Sequence, residues 1–384
     1  MMSVQSFMRH GKASVIVGGQ FGSEAKGLAA AMVAKHDLLI SKSNRSFIST
    51  TNAGAQAGHT TVLEDGRKFV CYHLPTIGVM SPNALIYLNA GSIIDPGLLT
   101  KEIISVCEVT GENPGDLIRR IRVHPNAAII HQDHKEAEAG DGRGSGATTH
   151  LGSTMKGVGA ALASKIMRKP NTIARDMLNI YGELKIEAID LNNHLACHGS
   201  VTVEIPQGTG LSLNASRFYP HCTSRDCWVG QGMADAGIHP SFLGEVMMVQ
   251  RTFPIRVGHV YHPQTGERIG DSGPFYPDGP EISWDDLPGV EPERTTVTQR
   301  VRRIASWSKM QYLEAMRLNR PTIVLTTFIN YLHDERYLSI LKGRMDLTHD
   351  MLRLYPETLW SWGPRVDQWT DDIETARTKC QKGK

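Results

Sequence analysis

Residues 14–35 read SVIVGGQFGSEAKGLAAAMVAK, and this stretch decides the fold. SVIVG at 14–18 is a β-branched run ending in glycine, the pattern of a short buried strand. GLAAAMVAK at 27–35 consists mostly of strong helix formers. The loop between them holds Gly18, Gly19, Gly22 and Lys26. Glycines let backbone N–H groups approach a phosphate, and a lysine adds a cation at the helix start. The spacing GxxxxGK[ST] is absent, so this is not a Walker A loop, and alone it reads equally well as a tight strand-to-helix turn. Strand, glycine-rich loop and helix open an α/β nucleotide-binding fold.

The same alternation continues outward. Apolar runs at 84–88 (ALIYL), 127–131 (AAIIH), 201–205 (VTVEI) and 322–327 (TIVLTT) predict strands. Helical character is expected at 95–110 and 159–169. Residues 141–159, rich in glycine, serine and threonine, read as a ligand-dependent loop. The fold expected is a single large α/β domain over 14–384, with a mostly parallel central sheet flanked by helices. Residues 1–13 are expected to form a flexible leader.

Composition narrows the function classes. A net charge of +2 over 384 residues gives no electrostatic case for nucleic acid. No apolar run reaches membrane-spanning length and the N-terminus lacks a signal-peptide core, so a cytoplasmic enzyme is expected. The six cysteines form no CxxC pair, which argues against a zinc site or a disulfide framework. His131-Gln132-Asp133-His134 reads as a helix start, because no third metal ligand is in place.

Several short segments carry chemistry. His59, in Gln56-Ala57-Gly58-His59-Thr60, can give a proton to a reacting oxygen. The segment 152–159 (GSTMKGVG) suits a phosphate or a base edge. Gln207, in EIPQGT at 204–209, can read a purine edge through paired donor and acceptor. The arginines of 295–303 (TTVTQRVRR) can clamp a dicarboxylate, or else form a solvated basic face.

In this order the segments resemble the adenylosuccinate synthetases. The family's GxQWGDEGKGK loop corresponds to residues 18–28, its NAGHT loop to 56–60, its GTTGRGIGP loop to 152–160 and its EGAQGT turn to 204–209. Its YPxVTSSN segment corresponds to 219–226, its TTGRxRR loop to 297–303 and its STGP to Ser361-Trp362-Gly363-Pro364. The resemblance implies a P-loop-related fold and a ligase. A γ-phosphate is transferred to a purine 6-oxygen, and the amine of aspartate then displaces it. Ser23, His59 and Gln207 would be catalytic. Ser23, Asn52, Gln56, Ala57, Thr154, Arg168, Gln207, Thr223 and Arg300 would bind the purine nucleotide, Arg168 from the neighbouring subunit of a homodimer. Thr298, Arg300 and Arg302 would take the aspartate carboxylates. Gly22, Ser23, Ala25, Lys26, Gly27, Gly58, His59, Thr60, Thr327, Asn330, Ser361, Gly363 and Pro364 would hold the phosphate donor, with Mg²⁺ at Ser23 and Gly58.

Two departures bear on the substrate. Ser23 stands where the family has its catalytic aspartate, and a hydroxyl is a poor base and a weak magnesium ligand. A phage branch of the family carries the same GSEAKG and acts on dGMP instead of IMP, making the succinyl precursor of 2-aminoadenine deoxynucleotide. The smaller serine leaves room for the 2-amino group. Ordinary IMP-dependent synthesis and an inactive nucleotide-binding paralogue are the alternatives. If the chain is phage-encoded, its place is the host cytoplasm. The second departure is residues 325–332 (LTTFINYL), which lack the lysine and aspartate of the family's LTKLDxLD. Without that acidic partner for guanine, ATP or dATP is the expected donor. Initial rates with ATP should therefore match or exceed those with GTP; a GTP preference of about tenfold or more would refute this reading.

Overall fold

The computed structural model describes residues 7–40, 47–140, 151, 154–177, 184–262, 264–295, 299–332 and 335–382. Its centre is a ten-stranded sheet. In chain order the strands are β1 (Ala13–Gly18), β2 (Phe47–Thr51), β3 (Leu85–Leu88), β4 (Ile121–Val123), β5 (Lys185–Ile186), β6 (Ser200–Glu204), β7 (Leu243–Arg251), β8 (Ile323–Thr327), β9 (Glu357–Ser361) and β10 (Trp369–Thr370). Across the sheet the order is β10-β9-β8-β7-β1-β6-β2-β3-β4-β5. Every neighbouring pair is parallel except β9 with β10.

A parallel sheet covered on both faces has strands that are apolar on both sides. β1 is the clearest case, since all six of its residues are buried. Val15 and Val17 face a layer that includes Val229, Met233, Tyr312 and Met316. Ile16 faces the opposite layer, where helix α1 (Lys26–Ile40) contributes Leu28, Met32 and Val33. β7 divides the same way, Val246 and Met248 to one layer and Met247 and Val249 to the other. The segments following β1, β2, β6, β7 and β8 gather at the carboxyl ends of the strands, where ligands bind in open α/β sheets.

The strands expected at 14–18, 84–88, 201–205 and 322–327 are present with ends shifted by a residue. The expected helices appear as Pro96–Thr110, capped by Asp95, and as Val158–Ile166. The run 127–131 is shorter than expected. Only Ala128–Ile129 is strand, and it pairs with Ile93–Ile94 outside the central sheet. β2, β7 and β9 were not legible in the sequence. FISTT is half polar, and LGEVMMVQR carries Glu245, Gln250 and Arg251 in a run that lies mostly buried. Most of the loop expected at 141–159 falls outside the described residues.

The leader needs correction over its described part. Phe7 is fully buried. Its ring meets His36 edge-on at 4.9 Å, and the N–H groups of Phe7 and Met8 donate to the Asp37 carboxylate at 3.1 and 2.8 Å. The apolar ring and a pair of backbone donors tie this segment to α1. Phe7→Ala should therefore lower stability by about 3–5 kcal/mol, read as a lower urea midpoint, whereas a loose leader would leave it unmoved.

Candidate active site

The loop after β1 is folded around a carboxylate. Glu24 is fully buried and accepts the N–H groups of Gln20 and Gly22 on one oxygen, at 3.1 and 2.7 Å. Its other oxygen accepts from Lys26 Nζ at 2.7 Å. A Cβ on Gly18 would stand 2.5 Å from the Gln207 carbonyl and 2.6 Å from Glu24 Oε2, so only glycine fits. Ser23 and Ala25 hold φ of 58° and 63°, a left-handed backbone that L residues seldom adopt. Such strain persists where the surroundings over-determine it, commonly at binding sites.

His59 packs beside the end of this loop, its backbone against Gly27 at the start of α1. Its Nδ1 is 3.5 Å from Glu204 Oε2 at the end of β6, and Glu204 Oε1 accepts the Ile77 N–H at 2.7 Å. Nε2 of His59 is buried on the cleft wall without a protein partner. A carboxylate at Nδ1 orients the ring and leaves Nε2 for proton exchange with a ligand. Gln207, at φ 64°, lines the same cleft. Its Oε1 accepts from the thiol of Cys227 at 3.3 Å, which turns its amide NH₂ away from the thiol. Burial pushes the Cys227 thiol up to about 12, so it remains a donor through the neutral range.

The arginines enter from the other side. Arg302 Nη1 donates to the Ser23 hydroxyl at 2.7 Å. Fully buried Arg251, at the end of β7, pairs with Glu293 and donates to the Ser23 carbonyl at 3.1 Å. Its backbone N–H and carbonyl are both taken by the Gln20 amide at 3.0 Å. Burial raises the Glu293 carboxyl, but Arg251, Arg302 and the Tyr331 hydroxyl together hold it below the usual carboxylate range. Arg256 stacks on Phe21 at 4.3 Å, and its burial lowers it to about 9. Ser23, Lys26, His59, Gln207, Arg256 and Arg302 line a cleft of about 260 Å³.

Helix α2 (Gln132–Ala139) supplies Glu138, which accepts the N–H groups of Gly157 and Gly159 at 2.7 Å and so satisfies the start of helix α3 (Val158–Ile166). His131 and His134 serve the start of α2: the His131 N–H donates to His134 Nδ1 at 3.1 Å.

Comparison with known proteins identifies the family. The adenylosuccinate synthetase family model matches residues 15–189. An N6-succino-2-amino-2'-deoxyadenylate synthase of Salmonella phage PMBT28 is 34% identical over 93% of this chain and 96% of its own length. The adenylosuccinate synthetase of Pyrococcus horikoshii is 30% identical over 84% of this chain and 85% of its own. The chain belongs to the adenylosuccinate synthetase family. The solved structure of a succinoaminodeoxyadenylate synthetase from Cyanophage S-2L, bound to dGMP and dATP as an energy donor, superposes with a TM-score of 0.78 at 30% identity, covering 96% of this chain and 99% of that one. The family is one of carbon–nitrogen ligases, and this chain is an enzyme of that class.

The cleft gathers many of the residues singled out in the sequence: Gly22, Ser23, Lys26, Gln56, Ala57, Gly58, His59, Thr154, Gln207, Thr223 and Arg302. Others stand outside its wall. Asn52 is buried and donates to Asp235 at 2.6 Å. Arg300 is partly buried beside the Gly258 carbonyl. Thr327 donates to the carbonyls of Glu24 or Gln250, each at 3.0 Å, and so supports the first loop from beneath. Ala25 and Gly27 shape the loop and the first turn of α1, where a Cβ on Gly27 would meet the His59 backbone at 2.7 Å. Thr60 is exposed, Asn330 follows β8, Ser361 ends β9, and Gly363 and Pro364 lie just beyond it. Arg168 lies exposed beyond α3. Thr298 lies outside the described residues.

Sequence reasoning missed Glu24, Glu138, Glu204, Arg251, Glu293 and Cys227 as site residues. A signal existed for Glu204: it is an ionisable side chain inside the strand expected at 201–205, where burial demands a partner. The two residues expected to hold magnesium fit it poorly. Ser23 offers a neutral hydroxyl that already accepts from a cation, and Gly58 offers only its backbone. Magnesium favours carboxylates and phosphate oxygens.

Glu204→Gln keeps the acceptor for Ile77 and removes the charge beside His59. It should lower kcat on the order of 10²-fold while leaving nucleotide KM within about threefold, in steady-state assays of phosphate release.

Proposed function

We propose that this enzyme joins L-aspartate to C6 of dGMP at the expense of ATP or dATP, giving 2-amino-2'-deoxy-N6-succinyladenylate. The observation that carries the reading is Ser23, whose small neutral side chain accepts from Arg302 in the place of the family's catalytic carboxylate. A carboxylate there would ion-pair with Arg302 and crowd the 2-amino group of guanine. The phage relatives and the dGMP-bound cyanophage enzyme support the same substrate.

The chemistry has two steps. The γ-phosphoryl group passes from the donor to O6 as N1 loses its proton to solvent, forming an O–P bond, breaking the bond to the β–γ bridging oxygen and releasing the nucleoside diphosphate. The aspartate amine then attacks C6, the C6–O6 bond breaks, and phosphate leaves with that oxygen while the amine loses a proton. Such transfer depends chiefly on positioning and charge. Lys26 and the N–H groups of the first loop face the transferring phosphate. His59, oriented by Glu204, supplies a proton donor at the 6-oxygen, and the Gln207 NH₂ donates to the same atom. Arg300, Arg302 and Thr298 grip the aspartate carboxylates. Magnesium bound with the donor would neutralise phosphate charge during the transfer, with the Ser23 hydroxyl and the Gly58 backbone as the oxygens that this chain would offer it. A homodimer in which Arg168 reaches the neighbouring nucleotide completes the site.

Phosphate release with Mg²⁺, ATP and aspartate should occur with dGMP and not with IMP. Ser23→Asp should cut the dGMP rate at least about tenfold. Activity with IMP alone would overturn the substrate, and silence with both would overturn catalysis.

A further inference from the structure

We infer that Arg251 is a positioning residue that links the donor-binding side of the cleft to the aspartate-binding side, so that occupancy of one tightens the other. The inference rests on the substrate assignment above and adds a coupling between two of those substrates.

Arg251 makes its contacts in three directions. Toward the donor side, its guanidinium lies 3.8 Å over the ring of Phe328, in the segment that follows β8. Phe328 is held left-handed at φ 59°, and its carbonyl accepts from Thr252 at 2.8 Å. Tyr331, one turn on, packs on Phe328 at 5.1 Å and donates to Glu293 at 2.9 Å. Toward the aspartate side, Arg251 pairs with Glu293, whose carbonyl accepts the Arg302 N–H at 2.8 Å. Toward the first loop, Arg251 donates to the Ser23 carbonyl, and the Ser23 hydroxyl accepts from Arg302. Arg302 is thus fixed from two sides, and both routes begin at one guanidinium.

Burial makes the link stiff. Arg251 is fully buried, and its own peptide group is clamped by Gln20. A planar guanidinium held by a carboxylate, a carbonyl and an aromatic face has few alternative poses. A donor base that orders the segment 328–331 therefore orders Glu293 and Ser23 with it, and Arg302 is pre-set for a dicarboxylate. Coupling of this kind is reciprocal and commonly reaches 5- to 150-fold in affinity, of which about tenfold is expected here.

The test is calorimetry of aspartate binding to the full-length protein with dGMP and Mg²⁺, with and without the non-hydrolysable β,γ-imido analogue of ATP. The analogue is held at saturation for each variant by its own titration. In the wild type, the aspartate Kd should fall about tenfold when the analogue is present. Phe328→Leu removes the stacking face and keeps an apolar side chain. It should reduce that ratio to about twofold or less. Arg251→Lys keeps the charge, loses the fork and should likewise lose the ratio. A wild-type ratio near one, or a Phe328→Leu ratio equal to the wild type's, overturns the link alone. Absence of aspartate binding together with absence of phosphate release from dGMP overturns the substrate assignment and the link together.

Discussion

The site is organised by a carboxylate that meets no water. Glu24 takes two backbone N–H groups of its own loop and the ammonium of Lys26. A charge buried so completely has to be paired and hydrogen-bonded, and removing one partner of such a pair costs about 3–5 kcal/mol. The loop must therefore close tightly over Glu24. That closure forces the left-handed backbone at Ser23 and Ala25, leaves no room for a side chain at Gly18, and brings the turn of Gln207 and Gly208 against the loop. Thr327 supports the Glu24 carbonyl from β8, so the constraint reaches across the sheet.

From this fixed loop the cleft divides into functional sides. Lys26 and His59 both line it, one paired with Glu24 and the other beside Glu204. Gln207, its amide oxygen held by the Cys227 thiol, lines the same cleft, and Arg302 donates to Ser23. The Ser23–Arg302 contact joins the first loop directly to the arginine segment. A carboxylate at position 23 would ion-pair with that arginine and so alter both segments.

The groups that support the named catalytic residues were largely illegible in the sequence. Glu204 orients His59 although 145 positions separate them, because β6 and β2 lie side by side. Arg251 and Glu293 are 42 positions apart and meet only when β7 ends beside the first loop. β7 itself was hidden, since a strand bearing glutamate, glutamine and arginine breaks the apolar pattern by which buried strands are recognised. Phe7 was misread for a related reason: a single aromatic residue in a polar stretch carries no periodicity, and only the docking of that stretch on α1 buries it.

The sequence by itself determined the fold class, the order of the chemical segments and the identity of most cleft-lining residues. These depend on local composition and spacing: a β-branched run, a glycine loop, a helix start, and short motifs whose residue types limit their chemistry. Tertiary structure decided which charges are paired and what each side chain faces. It spent Thr327 on the loop's backbone, tied Asn52 to Asp235, and gave Ser23 to Arg302. The reason is physical. A buried polar group is set by the partner that compensates its lost hydration, and in a parallel sheet that partner comes from strands distant in sequence.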